Sequence, residues 1–254
     1  MKRHWIIYSI FAITVLIFGS RFANGAEESQ SIKLERRTKI VYLDPWYGGK
    51  EKGPLFGSKT YGKAITLDIA RKIQSQLEAV GFKVYLSRDD DRFVNLEQRL
   101  LQGKSRGAGV HLAIKISQTN KDCVRIYFAS PPIRKHETTS TTKTYSKEEL
   151  GPELDRIIKD LITDDIIEES IFISQIISDK LKSGSAANCF ELRRGKDYIL
   201  KNAQLPTVMV DFRISPSPKK PFTLDATSLD EIASFLADSI KDYSEQRKPK
   251  EENK

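Results

Sequence analysis

The apolar run Ile40-Val41-Tyr42-Leu43 stops at Asp44-Pro45, and a glycine-rich stretch separates it from Ile65, Ile69, Ile73 and Leu77, spaced four apart. The run is too short for a helix and reads as a buried strand closed by proline. The four-residue spacing lays an apolar stripe along a helix that Val80 continues and Gly81 ends. Val84-Tyr85-Leu86 is the next strand. A strand, a helix and a strand in succession require a crossover, which joins parallel strands, and parallel sheets are covered by helices on both faces. The chain is therefore read as α/β, a single domain with a twisted, mostly parallel sheet and helices on both faces.

The rest of the chain continues this pattern. Residues 46–62 hold five glycines and read as a loop. Asn95, with Gln98 three residues later, is a capping pair for a helix running toward Gly103. Val110–Ile116 and Cys123–Ala129 are strands, and Thr207–Phe212 is a last buried one. Residues 130–147 hold Pro131, Pro132 and a Thr/Ser/Lys-rich stretch that reads as a mobile surface loop. Two helices are expected after it, over Pro152–Leu161 and Glu168–Leu181, and a closing helix carries Leu229, Ile232, Ala233, Leu236 and Ile240. The charged segment 244–254 reads as a disordered tail.

Lys2 and Arg3 precede an apolar run from Trp5 to Gly19, and Ala23 and Gly25 stand where a signal peptidase reads small residues. Residues 1–25 thus read as a signal peptide and 26–38 as a linker, giving a periplasmic or extracytoplasmic protein. The rival reading is an uncleaved anchor, the one case in which the membrane is a partner. The run is shorter than the roughly 20 apolar residues of a bilayer span.

With Lys2, Arg3 and Arg21 removed, the formal charge of +8 becomes +5. That mild excess suits an anionic partner and equally serves solubility. No nucleic-acid-binding module is recognisable. Cys123 and Cys189 are the two cysteines. In an oxidising compartment they can pair, or remain two small buried apolar side chains.

Several strings now bear comparison with a known family. Asp44-Pro45-Trp46-Tyr47-Gly48-Gly49 resembles the DPGHGG string of the zinc N-acetylmuramoyl-L-alanine amidases, which cut between muramic acid and the stem peptide. GKAITLDIA at 62–70 is similar to EKDVNLDIA, and GFKVYLSRDDDRFVNLEQRL at 81–100 to GYKVVLTRDTDVFVSLEERV. Lys115-Ile116-Ser117-Gln118-Thr119 stands where the family has SIHAN, and ILKNAQLPTVMVDFRISPS at 199–217 where it has VLRNTKMPAVLVELGFISN. Leu154–Ser170 resembles a segment of the cell-division amidases, in which an inserted helix can occlude the active site until an activator displaces it. The resemblance implies an amidase-like domain over 39–243, with 130–168 as an inserted loop and helix.

The same resemblance places Tyr47, Gly62 and Ser117 at the family's zinc-ligand positions and Asp211 at its catalytic Glu. Glycine has no side chain, and neutral Ser and Tyr hydroxyls are poor zinc ligands. No metal is therefore expected, and Asp211 is expected to be non-functional as a catalyst. His111, six residues before Ser117, lies roughly 20 Å from it along a strand, and His136 sits in the polar loop. Neither reads as a ligand.

A metal-free alternative pairs Ser117 with Lys115 on the same strand face as nucleophile and base; a plain Lys115–Asp211 salt bridge is the simpler account. Trp46 and Tyr47 offer aromatic faces of the kind that pack on sugars, Lys115, Arg213 and Arg194 are placed to meet carboxylates of stem peptides, and Ser117 is a further ligand-binding candidate. Arg213 stands where the family has Gly, and it either balances Asp211 or receives an anionic ligand.

The resulting expectation is a peptidoglycan-binding or regulatory pseudoenzyme whose partners are peptidoglycan and a cell-division or amidase-regulating protein. The alternative is an active amidase with a rebuilt site, which would need zinc as its cofactor. A third reading makes 130–170 a docking segment for a protein partner.

Overall fold

The computed structural model describes residues 38–131, 147–183, 189–215 and 226–247, with the backbone alone for 147–158 and 226–227. The expected signal peptide, most of the linker, residues 132–146 with His136, and 248–254 lie outside the described residues. In chain order the elements are β1 (Ile40–Pro45), β2 (Leu55–Phe56), β3 (Thr60–Tyr61), α1 (Gly62–Glu78), β4 (Lys83–Leu86), α2 (Leu96–Ser105), β5 (Val110–Gln118), β6 (Cys123–Phe128), α3 (Lys147–Ser183), β7 (Phe190–Arg194), α4 (Tyr198–Lys201), β8 (Thr207–Ile214) and α5 (Ala226–Gln246).

Six strands form one sheet in the order β4-β1-β5-β8-β6-β7, and β2 and β3 make a separate small hairpin inside the expected loop. The pairs β1/β4, β1/β5, β5/β8 and β6/β7 are parallel. Only β6/β8 is antiparallel within this sheet. The chain leaves β1 through α1 to reach β4 on one side, then returns through α2 to β5 on the other. A crevice therefore opens at the carboxyl ends of β1 and β5, the switch point at which open α/β sheets hold ligands.

Alternation along the strands sorts the two faces. Leu112, Ile114 and Ile116 of β5 and Val208 and Val210 of β8 join one large core with Ile69 and Ile73 of α1, Ile173 and Ile177 of α3, and Leu236 and Ile240 of α5. On the opposite face, Ala113 and Met209 pack with Leu200 and the rings of Trp46 and Tyr127. Tyr42 lies under α2, where a Cβ on Gly103 would come within 3.0 Å of its ring. That second face has lighter cover, from α2 and the short α4.

Two expectations are corrected, and one strand was not anticipated. The two helices predicted over 152–181 are one continuous helix, α3, because no Gly or Pro interrupts 153–183 and Thr163 is absorbed by bonding back to the Lys159 carbonyl at 2.8 Å. Its Ser170 hydroxyl accepts from the Thr207 amide at 2.9 Å, tying the helix to the start of β8. The tail predicted from 244 begins instead as the last turn of α5, since the Ser244 hydroxyl meets that of Thr38 at 3.1 Å and Arg247 pairs with Glu169 at 2.7 Å. The strand β7 carried no alternation clear enough to be anticipated, with Glu191 and two arginines among its five residues.

Cys123 and Cys189 form a disulfide, so the pairing left open by the sequence is resolved. It joins the start of β6 to the residue before β7 across a separation of 66 residues. A loop of that length implies about 4 kcal/mol of stabilisation through the unfolded chain. The Cys123→Ser, Cys189→Ser double variant is expected to lose roughly that amount in urea denaturation, and the wild type is expected to lose it when unfolding is followed under reducing conditions.

Candidate functional site

Two buried arginines shape the loop after β1. Arg88 donates to the carbonyls of Pro45 at 3.1 Å, Trp46 at 3.2 Å and Lys63 at 2.7 Å. Arg99 donates to Val94 at 2.8 Å and Tyr47 at 3.0 Å and pairs with the Asp44 carboxylate. These bonds absorb main-chain carbonyls that no sheet ladder satisfies. Gly48 has a φ of +132°, and a Cβ there would stand 2.1 Å from the Arg92 carbonyl oxygen, so only glycine fits. Tyr47 is held at φ +69°, a left-handed conformation that costs a bulky residue free energy.

That strained backbone turns the Tyr47 side chain inward. Its hydroxyl donates to the Ile116 carbonyl at 2.8 Å, and its ring lies against Gly53 and Gly62. A Cβ on Gly62 would meet Pro54 Cδ at 2.9 Å, Ile116 Cγ2 at 3.0 Å and Tyr47 Cε2 at 3.3 Å. Burial and the nearby Asp211 carboxylate push the phenol up to about 12, so it stays neutral at ordinary pH. Tyr47 is thus a filler of the cleft whose polar end is already used.

Next to it, Ser117 Oγ donates to Asp211 Oδ1 at 2.7 Å. Burial pushes the Asp211 carboxyl above its usual range; the Ser117 hydrogen bond and the charges of Lys115, Arg213 and Arg125 offset only part of that. Strand register arranges these groups in rows across the sheet. Lys115 lies opposite Asp211, Asp211 opposite Arg125, and Arg125 opposite Glu191, with which it pairs at 2.6 Å. The adjoining row is Ser117, Arg213 and the disulfide-bonded Cys123.

The structure brings Trp46, Tyr47, Gly62, Lys115, Ser117, Asp211 and Arg213 to one end of the sheet, but with altered roles. The expected Lys115–Asp211 salt bridge gives way to Lys115 Nζ lying over the Trp46 ring, 5.5 Å from its centroid. Ser117 gives its proton to Asp211 rather than to Lys115, so the proposed nucleophile and base are not assembled. Arg194 pairs in register with Phe128, on the face opposite Asp211, and does not belong to the site. His111 is buried at the far end of β5, 3.5 Å from Asp44 and edge-on to Tyr42. Arg88, Arg99 and Arg125 were not singled out by sequence reasoning. The first two sit inside the quoted 81–100 string, and strict alternation with Val124 and Ile126 is the signal that puts Arg125 on the site's face.

The profile of the N-acetylmuramoyl-L-alanine amidases matches residues 41–242. The chain belongs to this family. It is 22% identical over 238 residues to the amidase AmiA of Escherichia coli, spanning 87% of this chain and 81% of that one. A 78-residue stretch is 36% identical to AmiC of Neisseria meningitidis but spans only 19% of that protein. The fold is shared with the amidase AmiC2 of Nostoc punctiforme, with a TM-score of 0.61 at 16% identity over 81% of this chain and 97% of that one. It is shared too with the CwlD amidase of Clostridioides difficile, solved in complex with the GerS lipoprotein, with a TM-score of 0.54 at 21% identity over 80% and 97%.

Zinc chemistry in this amidase fold needs three protein ligands and an open position for water. Here Tyr47 is a neutral phenol bonded to a carbonyl, Gly62 has neither a side chain nor space for one, and the Ser117 proton points at Asp211. These groups do not suit zinc. Among the described residues, the cluster with metal-ligating types is Cys123, Cys189 and Glu191, and its two sulfurs are bonded to each other.

Gly62→Glu is expected to destabilise the chain by about 1–3 kcal/mol through overpacking, and by less in a Tyr47→Gly background; thermal unfolding of the single and double variants checks the coupling. A carboxyl whose folded value is raised contributes stability below its unfolded value that is lost as pH rises through the folded one. Asp211→Asn is therefore expected to flatten the acid-to-neutral fall in melting temperature and to leave the variant the more stable form at pH 7.

Proposed function

We propose that this chain is an exported, catalytically silent amidase-family domain that binds peptidoglycan at the cleft where its relatives cut. The observation that carries this reading is the Tyr47 ring packed beneath Gly62. It fills the space between Gly53 and Gly62 with a neutral side chain, and among the described residues the groups beside it do not form a donor set suited to a metal that activates water. Lys115 and Arg213 supply positive charge beside a carboxylate that burial disfavours, an arrangement suited to the carboxylates of a stem peptide. A signal peptide at 1–25 would deliver the domain to that substrate; no helix among the described residues is long and apolar enough to cross a membrane.

A regulatory role is compatible with binding. Leu161 and Ile162 of α3 are 64% and 55% exposed, in the segment that resembles the occluding helix of the cell-division amidases. One solved relative is held by a lipoprotein. These two points favour a protein partner on α3 in addition to the wall.

Purified muropeptides incubated with the chain, with and without added zinc, are expected to release no stem peptide, and dialysis against trace zinc is expected to leave the protein metal-free. Isolated sacculi are expected to retain it, and Lys115→Ala with Arg213→Ala to weaken that retention by about tenfold or more, the effect of losing charge-assisted hydrogen bonds. Steady release of stem peptide would establish the active-amidase alternative instead.

A further inference from the structure

Trp46 also lines a groove of about 530 Å³, together with Glu51, Phe93, Leu96, Glu97 and Tyr198. Its volume is that of a small-ligand site. Three separate parts of the chain meet there. Trp46 follows β1, Phe93 and Leu96 flank the start of α2, and Tyr198 opens α4. The α2 end of the groove is rigid, because Asn95 and Gln98 form a reciprocal capping box.

Two of its aromatic rings are solvent-exposed. Tyr198 is 50% exposed and Phe93 38%. Lys50 lies over Phe93 at 4.6 Å, which leaves Tyr198 the freer platform. Exposed rings converging on one hollow are costly unless something covers them. The charge around the groove narrows what that can be. Glu51 and Glu97 are both exposed on its lining, so an acidic stem peptide is repelled. The neighbouring cations are each held against a ring, Lys50 over Phe93 and Lys115 and Arg99 over Trp46. A pyranose fits the groove on both counts, because its C–H face stacks on an aromatic ring while its hydroxyls donate to carboxylates.

Building on the peptidoglycan-binding reading, we infer that this groove is a glycan subsite. A sugar ring of the glycan strand stacks on Tyr198 and Phe93, and Glu51 and Glu97 accept its hydroxyl protons. Trp46 lines this groove and has Lys115 over its ring, so one muropeptide places its sugar in the groove and its stem carboxylates near Lys115.

The chain has two tryptophans, Trp5 and Trp46, so in the full-length Trp5→Phe protein the tryptophan emission comes from Trp46 alone. Titration with chitotetraose, a β-1,4-linked N-acetylglucosamine oligomer, is expected to change that emission saturably, while a free acidic stem peptide is not expected to compete for the groove. Tyr198→Ala, with folding checked by circular dichroism, is expected to raise the Kd about tenfold, and Glu51→Gln with Glu97→Gln to raise it severalfold. No saturable change at millimolar chitotetraose, or undiminished affinity in folded Tyr198→Ala, overturns the subsite. If sacculi still retain the chain in that case, peptidoglycan binding stands without it; if they do not, both fall.

Discussion

The structure turns on a carboxylate that never meets water. Asp44, at the carboxyl end of β1, is fully buried. It accepts from Ser87 after β4 at 2.6 Å, pairs with Arg99 of α2 and faces His111 of β5 at 3.5 Å. Burial alone would push the carboxyl up, but the Arg99 charge, His111 and the Ser87 hydroxyl outweigh it and hold the group down at about 2. Four segments of the fold are fastened through one side chain. Breaking such a pair leaves an uncompensated charge, at a cost of about 3–5 kcal/mol against a typical domain stability of about 5–15 kcal/mol.

From this anchor the site loop follows. Arg99 continues from Asp44 to the Tyr47 carbonyl, and Arg88 covers the carbonyls of Pro45 and Trp46. Both guanidiniums are themselves buried, so the main-chain oxygens they hold have no water to turn to instead. The loop is thereby kept in the geometry that rotates Tyr47 beneath Gly62 and sets Trp46 in the lining of the groove. The character of the site is carried by a few side chains on this scaffold: the Tyr47 phenol that fills, Gly62 that makes room, and Ser117 that binds to Asp211.

Much of this was legible in the residue order. The apolar run at 40–43, the four-residue spacing from Ile65 and the Asn95/Gln98 pair are local signals, and each became the expected element. The motif strings brought Tyr47, Gly62, Ser117 and Asp211 together before any coordinates did. Signals failed where the outcome depended on distant neighbours. The break expected between two helices at 162–167 holds Thr163 and the exposed Asp164 and Asp165, which solvent tolerates on an unbroken helix. The fate of Lys115 depended on the Trp46 ring from the loop after β1. The disulfide depended on β6 and β7 lying side by side across 66 residues.

The sequence by itself determined the α/β class, the family and the identity of the residues gathered at the sheet's carboxyl end, because periodicity and motif spacing are properties of neighbours along the chain. Only the tertiary structure decided which of those residues are already used and which remain free to bind. Tyr47 is used by Ile116 and Ser117 by Asp211, while Tyr198 and Phe93, unmarked in the sequence, stand exposed in the groove that Trp46 lines. Hydrogen bonding and burial are settled by groups far apart in the chain and close in space, so no reading of local order could have assigned them.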